Sequence, residues 1–173
     1  MSKFVRQLNN SSCGPIAILN ALKWLYPDDN ITYSDYYKEI NELCKTTRHG
    51  TLASNFEEAL EYYYINHGLR WSKLERFNYQ TIKKHLKSGD SIILGHVELP
   101  QEGISEFDYE GHYSFWYLGD DNEIYGVNTL RRPAPTVNYW PLEMLKHLNK
   151  RTKEILMNEV EVYIIFGDRN GDY

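Results

Sequence analysis

The sequence predicts an α+β fold, helices first and an antiparallel sheet after them, with one helix buried at the centre. Three features lead there. Across residues 12–26, Ile16, Ala17, Ile18, Leu19, Ala21, Leu22, Trp24 and Leu25 are apolar, and only Asn20 and Lys23 interrupt them. A helix apolar on nearly every side belongs in an interior. Further segments before residue 90 carry helix start and stop signals. From Ser91 onward the ordered stretches are short, rich in β-branched and aromatic residues, and bounded by turn chemistry. Helices followed by strands make the α+β pattern.

Ser12 is placed to cap the first helix, Pro15 falls in its first turn, where a missing N–H costs little, and Pro27 ends it. Thr32-x-x-Asp35 opens a second helix to about Lys45. Ser54-x-x-Glu57 opens a third, which runs to His67 and stops at Gly68, a left-handed cap. Asn78 caps a shorter helix through Leu86, closed by Gly89. Residues 69–75, 91–98, 112–119, 123–128 and 160–166 read as strands, and Trp140-Pro141 leads a last helix to about Asn149. No repeat, low-complexity tract or long linker divides the chain, so residues 1–173 are expected to form a single domain.

A net charge of −5 provides no dense field of Lys and Arg to replace counterions, which argues against non-specific nucleic-acid binding. The opening MSKFVRQLNN has no apolar run of the signal-peptide kind, and no stretch approaches the roughly 20 apolar residues that span a bilayer. Two cysteines, Cys13 and Cys44, are few for a secreted disulfide scaffold of this length. The expectation is a cytoplasmic protein with free thiols and neither nucleic acid nor membrane as partner. Cys44 reads as a packed residue of the second helix.

The segment Gln7-Leu8-Asn9-Asn10-Ser11-Ser12-Cys13-Gly14-Pro15 carries the chemistry. A helix N-terminus favours a thiolate, and an ionised cysteine is a strong nucleophile. Cys13 stands at such a terminus, and Gly14 is read as room for a substrate carbonyl. Gln7 is placed to aim its amide NH₂ at the carbonyl oxygen, so that with the Cys13 backbone N–H it makes a two-donor oxyanion hole. Of six histidines, His112 and His96 lie in strand-like segments, and His112 is preferred as the base.

A hairpin supplies the third member. If Asp120-Asp121-Asn122 is a three-residue loop with Asn122 left-handed, Gly119 pairs with Glu123 and Ser114 stands opposite Asn128. His112 and Asn128 are then diagonal neighbours roughly 7–8 Å apart at the backbone, and Asn128 can fix the imidazole tautomer. A two-residue loop at Asp121-Asn122 brings Thr129 to that face instead. No cofactor is expected. No short-range ligand pair such as CxxC or HxxxH is present, which disfavours a metal site built from Cys13, His96 and His112.

Gln7, Cys13-Gly14, His112-Tyr113 and Asn128 together resemble the papain-like cysteine peptidase superfamily, in particular the branch of double-glycine leader peptidases of bacteriocin exporters. Two departures stand out: those peptidases usually carry Asp before the nucleophile, where this chain has Ser12, and their third member is typically Asp, where this chain has Asn128. The resemblance implies a two-lobed domain in which a buried nucleophile helix packs on an antiparallel sheet. It further implies a cysteine-nucleophile hydrolase, peptidase or amidase, with Cys13, His112, Asn128 and Gln7 as its site. An acyltransferase of the same superfamily, or a papain-like module that only binds peptide or protein, are the alternatives. Glu98, Glu102, Glu106, Asp108 and Glu110 precede His112 with no basic residue among them. Beside the base, such a loop would favour a cationic peptide or protein substrate; the plainer reading is a solvated loop.

Overall fold

The apolar segment after Ser12 folds as helix α1, Cys13–Leu25, with every residue from Cys13 to Leu22 buried and Trp24 as well. The computed structural model describes residues 4–7, 9, 11–27, 31, 33–97, 111–127, 139–141 and 161–167. Helices α2 (Tyr33–Leu43), α3 (Ala53–His67) and α4 (Tyr79–Lys87) follow, interleaved with strands β1 (Trp71–Leu74), β2 (Ser91–Val97), β3 (Gly111–Leu118), β4 (Ile124–Val127), β5 (Tyr139–Pro141) and β6 (Glu161–Ile165). The strands make one antiparallel sheet in the order β1-β6-β2-β3-β4-β5. The α+β class and the central buried helix are as the sequence predicts.

The sheet buries both of its faces. On one, α1, α2 and α3 share a core with Ile93, Tyr113, Phe115, Val127, Tyr163 and Ile165. On the other, Ile82 and Leu86 of α4 pack with Ile92, Leu94, Trp116, Ile124 and Val162. Strand alternation explains the split, since odd positions of β3 meet α1 and even ones meet α4. Each fully buried aliphatic side chain contributes on the order of 1.5–3 kcal/mol.

Local signals hold in some places and not in others. Asn78 caps α4 by accepting from the Thr81 N–H at 2.9 Å. Gly68 closes α3 at φ 68°, with Leu69 N–H reaching the Tyr63 carbonyl. Ser54, however, lies inside α3, whose cap position is Leu52 and carries no side-chain bond. The expected Ser54-x-x-Glu57 box is therefore not formed. Glu57 instead bonds Lys73 at 2.7 Å and the Tyr163 hydroxyl at 3.0 Å, tying α3 to β1 and β6. Ser12 occupies the cap position of α1 without capping it. Trp140 and Pro141 belong to strand β5, paired with Gly126 and Tyr125 of β4, and do not lead a helix. Pro141 stands at the end of an edge strand, where a missing donor is tolerated. The remainder of that expected helix, residues 142–149, lies outside the described residues.

The hairpin between β3 and β4 has the expected register. Gly119 N–H donates to the Glu123 carbonyl at 2.7 Å, and Asn122 N–H to the Gly119 carbonyl at 3.0 Å. Asn122 is left-handed at φ 64°, and Leu118 pairs with Ile124 and Phe115 with Val127. Trp116 faces Gly126 so closely that a Cβ there would stand 2.7 Å from the indole.

Candidate active site

Cys13 is the first residue of α1, buried at the end of the helix that points into the molecule. The macrodipole of a buried, weakly screened helix favours an anion at that sulfur. Pro15 removes one first-turn donor, and the Ser12 carbonyl accepts from the Ile16 N–H at 3.0 Å. Gly14 does not leave room for substrate. A Cβ there would meet Thr51 Oγ1 at 2.9 Å and Phe56 at 3.5 Å, so the glycine serves the close approach of α1 to the residues leading into α3. Thr51 is held in turn by a 2.8 Å hydrogen bond between its hydroxyl and that of Thr46.

The segment upstream is tied to α1 by a residue the sequence presented only as a polar interruption. Asn20 is completely buried. Its Oδ1 accepts from the Val5 N–H at 2.8 Å, and its Nδ2 donates to the Val5 carbonyl at 3.1 Å. Phe4 packs against Phe115 and Tyr117 of β3. Together these lay residues 4–7 along the helix and bring Gln7 inside, where it is 2% exposed. Its Nε2 donates to the Asn9 carbonyl at 2.6 Å, and its Oε1 is buried without a hydrogen-bond partner among the described residues. Holding that oxygen unpaired costs on the order of 1–3 kcal/mol.

His112 is the second residue of β3, 3% exposed, and stands opposite His96 in the β2–β3 ladder. By alternation it shares the parity of Ser114 and Trp116, whose indole N–H donates to the Ser114 hydroxyl at 2.8 Å. Tyr113, the intervening residue, belongs to the same core as Cys13 and stacks on Phe56 with ring centroids 4.2 Å apart. Burial foremost, with the charges of Glu161 and Cys13 behind it, holds the Tyr113 hydroxyl protonated well above the usual tyrosine range. Burial, and after it the charge of Cys13, pushes the Cys44 thiol up to about 12. Both cysteines are free and buried; Cys44 follows directly on α2 and lies in the same core as Cys13.

The structure thus puts Cys13 and Tyr113 in one core on the α1 side of β3, buries Gln7 against Asn9, and sets His112 at the start of that strand with the parity of the opposite face. Ser114 would face Asn128 one rung beyond the Phe115–Val127 pair, but Asn128, Thr129 and the acidic residues 98–110 lie outside the described residues. Among the described residues, no group of three or more His, Cys, Asp or Glu could hold a metal ion, and no helix is long and apolar enough to cross a membrane. Asn9 and Asn20 were not singled out by sequence reasoning, and Tyr113 entered only as the second residue of the His112-Tyr113 motif. Asn20 alone carried a signal, as a short amide inside an apolar helix.

No family model matches the chain, and no curated protein matches it. Solved structures do. The peptidase domain of Streptococcus ComA, a bi-functional ABC transporter involved in a quorum-sensing pathway, superposes with a TM-score of 0.57 at 18% identity. The match covers 95% of this chain and 98% of that domain. A protein described as a C39-like peptidase, from Bacillus anthracis, superposes with a TM-score of 0.55 at 12% identity over 94% of each chain. The fold is that of a C39 peptidase domain. The resemblance read from Gln7, Cys13-Gly14 and His112-Tyr113 therefore holds at the level of architecture, a buried helix beginning at Cys13 packed on an antiparallel sheet.

Proposed function

We propose that this protein is a cysteine-nucleophile hydrolase, peptidase or amidase, acting through Cys13, His112 and Asn128 with Gln7 in the oxyanion hole. The observation that carries the proposal is the cysteine at the first position of a buried helix, in a fold shared with C39 peptidase domains. His112 accepts the Cys13 proton, and the thiolate attacks an acyl carbon. The π electrons move onto oxygen, where Gln7 Nε2 and the Cys13 N–H stabilise the charge. The imidazolium protonates the departing amine, and water then releases the acid from the thioester. His112 has the parity of Ser114, so the proposed chemistry requires its imidazole to reach the thiol around the N-terminal end of β3, at the rim of the sheet. In this proposal Asn128, the residue after the end of β4, fixes the ring tautomer.

The substrate is a peptide or protein, with cationic character favoured by the acidic loop, in a reducing cytoplasmic setting that keeps both cysteines as thiols. Turnover of an acyl-amide library by the wild-type chain and by Cys13→Ala is the test. The expected result is loss of turnover with an unchanged melting curve, and turnover that survives the substitution overturns the proposal. The burial of both Cys13 and His112 to 3% exposure favours one rival, a module that binds peptide without cleaving it. Iodoacetamide separates the two: a hydrolase alkylates at Cys13 far faster than at Cys44 near neutral pH, and a binding module labels slowly at both.

A further inference from the structure

We infer that Ser12 is a positioning residue, which uses the Asn9 carbonyl to hold the Gln7 amide in its oxyanion-binding orientation; this rests on the proposed function. A serine in a helix cap position ordinarily turns its oxygen forward to accept a first-turn N–H. Ser12 is completely buried, yet makes no such bond. Its hydroxyl turns backward instead, donating to the Asn9 carbonyl at 3.2 Å while accepting from the Asn9 N–H at 3.4 Å. The Asn9 side chain closes the same loop from the other direction, its Oδ1 accepting from the Ser11 N–H and hydroxyl, each at 3.0 Å. The backbone N–H and carbonyl of residue 9 are thereby both tied to Ser12, and its side chain to Ser11.

That carbonyl is also the acceptor for Gln7 Nε2 at 2.6 Å. An amide has two N–H bonds. With one committed to Asn9, the other is aimed by the plane of the group, and rotating the amide by half a turn would press Oε1 against the Asn9 oxygen. The cost of that lock is visible in Oε1, buried with no partner among the described residues. A glutamine in place only to fill space would keep its oxygen satisfied. Residue 12 thus reaches the reaction through a backbone oxygen, and a hydroxyl is sufficient for the task.

The test compares two probes on the wild-type chain, Ser12→Ala, Ser12→Thr, Gln7→Ala and the Ser12→Ala/Gln7→Ala double variant. Iodoacetamide alkylation of Cys13 needs a thiolate but no oxyanion hole. A peptidyl aldehyde built on the best library substrate needs both, because the sulfur adds to the carbonyl carbon and the electron pair goes to oxygen without a leaving group. Removing an oxyanion donor costs roughly a hundredfold or more, and misaiming one costs less, about tenfold. Ser12→Ala is therefore expected to weaken aldehyde binding about tenfold, with the alkylation rate unchanged. Ser12→Thr is expected to restore the binding, and the alanine at 12 to add nothing to Gln7→Ala. If the alanine variant does not fold, Ser12→Gly removes the hydroxyl without adding bulk and is expected to show the same loss. Wild-type aldehyde binding in the alanine and glycine variants, or additive losses in the double variant, overturns the inference alone. Alkylation of Cys13 no faster than of Cys44 overturns the proposed function, and the inference with it.

Discussion

The two ends of the candidate site are built by opposite means. At the Cys13 end two of the decisive bonds join residues two or three positions apart, Gln7 to Asn9 and Ser12 to Asn9, while Asn20 reaches back along the helix to Val5. At the His112 end the position of a side chain follows from three strands pairing in register, β2, β3 and β4. The first end is tied within residues 5–20, a helix and the segment before it, and the second exists only once strands from separate parts of the chain have paired. Disturbing the first should change the chemistry directly, whereas disturbing the second should act through the sheet.

The sharpest contrast comes from the two groups proposed to react. Cys13→Ala is expected to remove turnover by a factor on the order of a millionfold, the scale seen when a covalent nucleophile is deleted. His112→Ala is expected to lower it by roughly 10²–10⁴, the usual contribution of a general base, and to slow iodoacetamide alkylation of Cys13. A His112→Ala variant that alkylates at the wild-type rate would detach the histidine from the thiol and leave only the Cys13 end as chemistry.

Asn20→Ala should be next in size. It removes the two hydrogen bonds that clamp the half-buried Val5 backbone, for a loss on the order of 1–3 kcal/mol, measured by urea unfolding. The residual folded protein should bind the aldehyde weakly, because the segment bearing Gln7 is released. An equal loss of stability with unimpaired aldehyde binding would show that Asn20 serves the fold alone. At the other end, Gly126→Ala forces a methyl into the Trp116 indole and should cost about 1–3 kcal/mol as overpacking. Iodoacetamide alkylation of the folded fraction should slow if β4 holds His112 in place.

The smallest effect concerns pH and belongs to the Cys13 end. In the unfolded chain the Cys44 thiol ionises near its ordinary value of 9.0, whereas the folded chain holds the proton to about 12. The stabilisation is therefore complete below pH 9 and is lost progressively as pH rises from 9 towards 12. Melting temperatures between pH 8 and 11 should fall less steeply for Cys44→Ala than for wild type. Tyr63, Tyr113 and Tyr163, whose hydroxyls burial also holds above the usual tyrosine range, account for the slope that remains. Parallel curves for the two proteins would remove Cys44 from the alkaline transition.

What could be read from sequence follows the same division. The interior helix is legible because its apolar residues occupy every side, and the hairpin because Asp120-Asp121-Asn122 has few ways to turn a chain. Trp140-Pro141 reads as a helix start from sequence, since a proline near an aromatic residue is compatible with helix or strand and only pairing with β4 selects the strand. The Ser54 box failed for a related reason: once Glu57 is drawn to Lys73 and Tyr163, it is not available to close a cap.

By itself the sequence determined the interior helix, the order of helices and strands as far as β4, and the Gln7 and Cys13 motif, because each depends on periodicity or on neighbours a few positions apart. Tertiary structure decided which way Ser12 turns, that Gly14 is filled by Thr51, and that His112 shares the parity of Trp116 while Tyr113 meets the helix. Those outcomes turn on which surfaces are pressed together. A glycine, a serine or a strand residue has no preference of its own until a second element removes the alternatives.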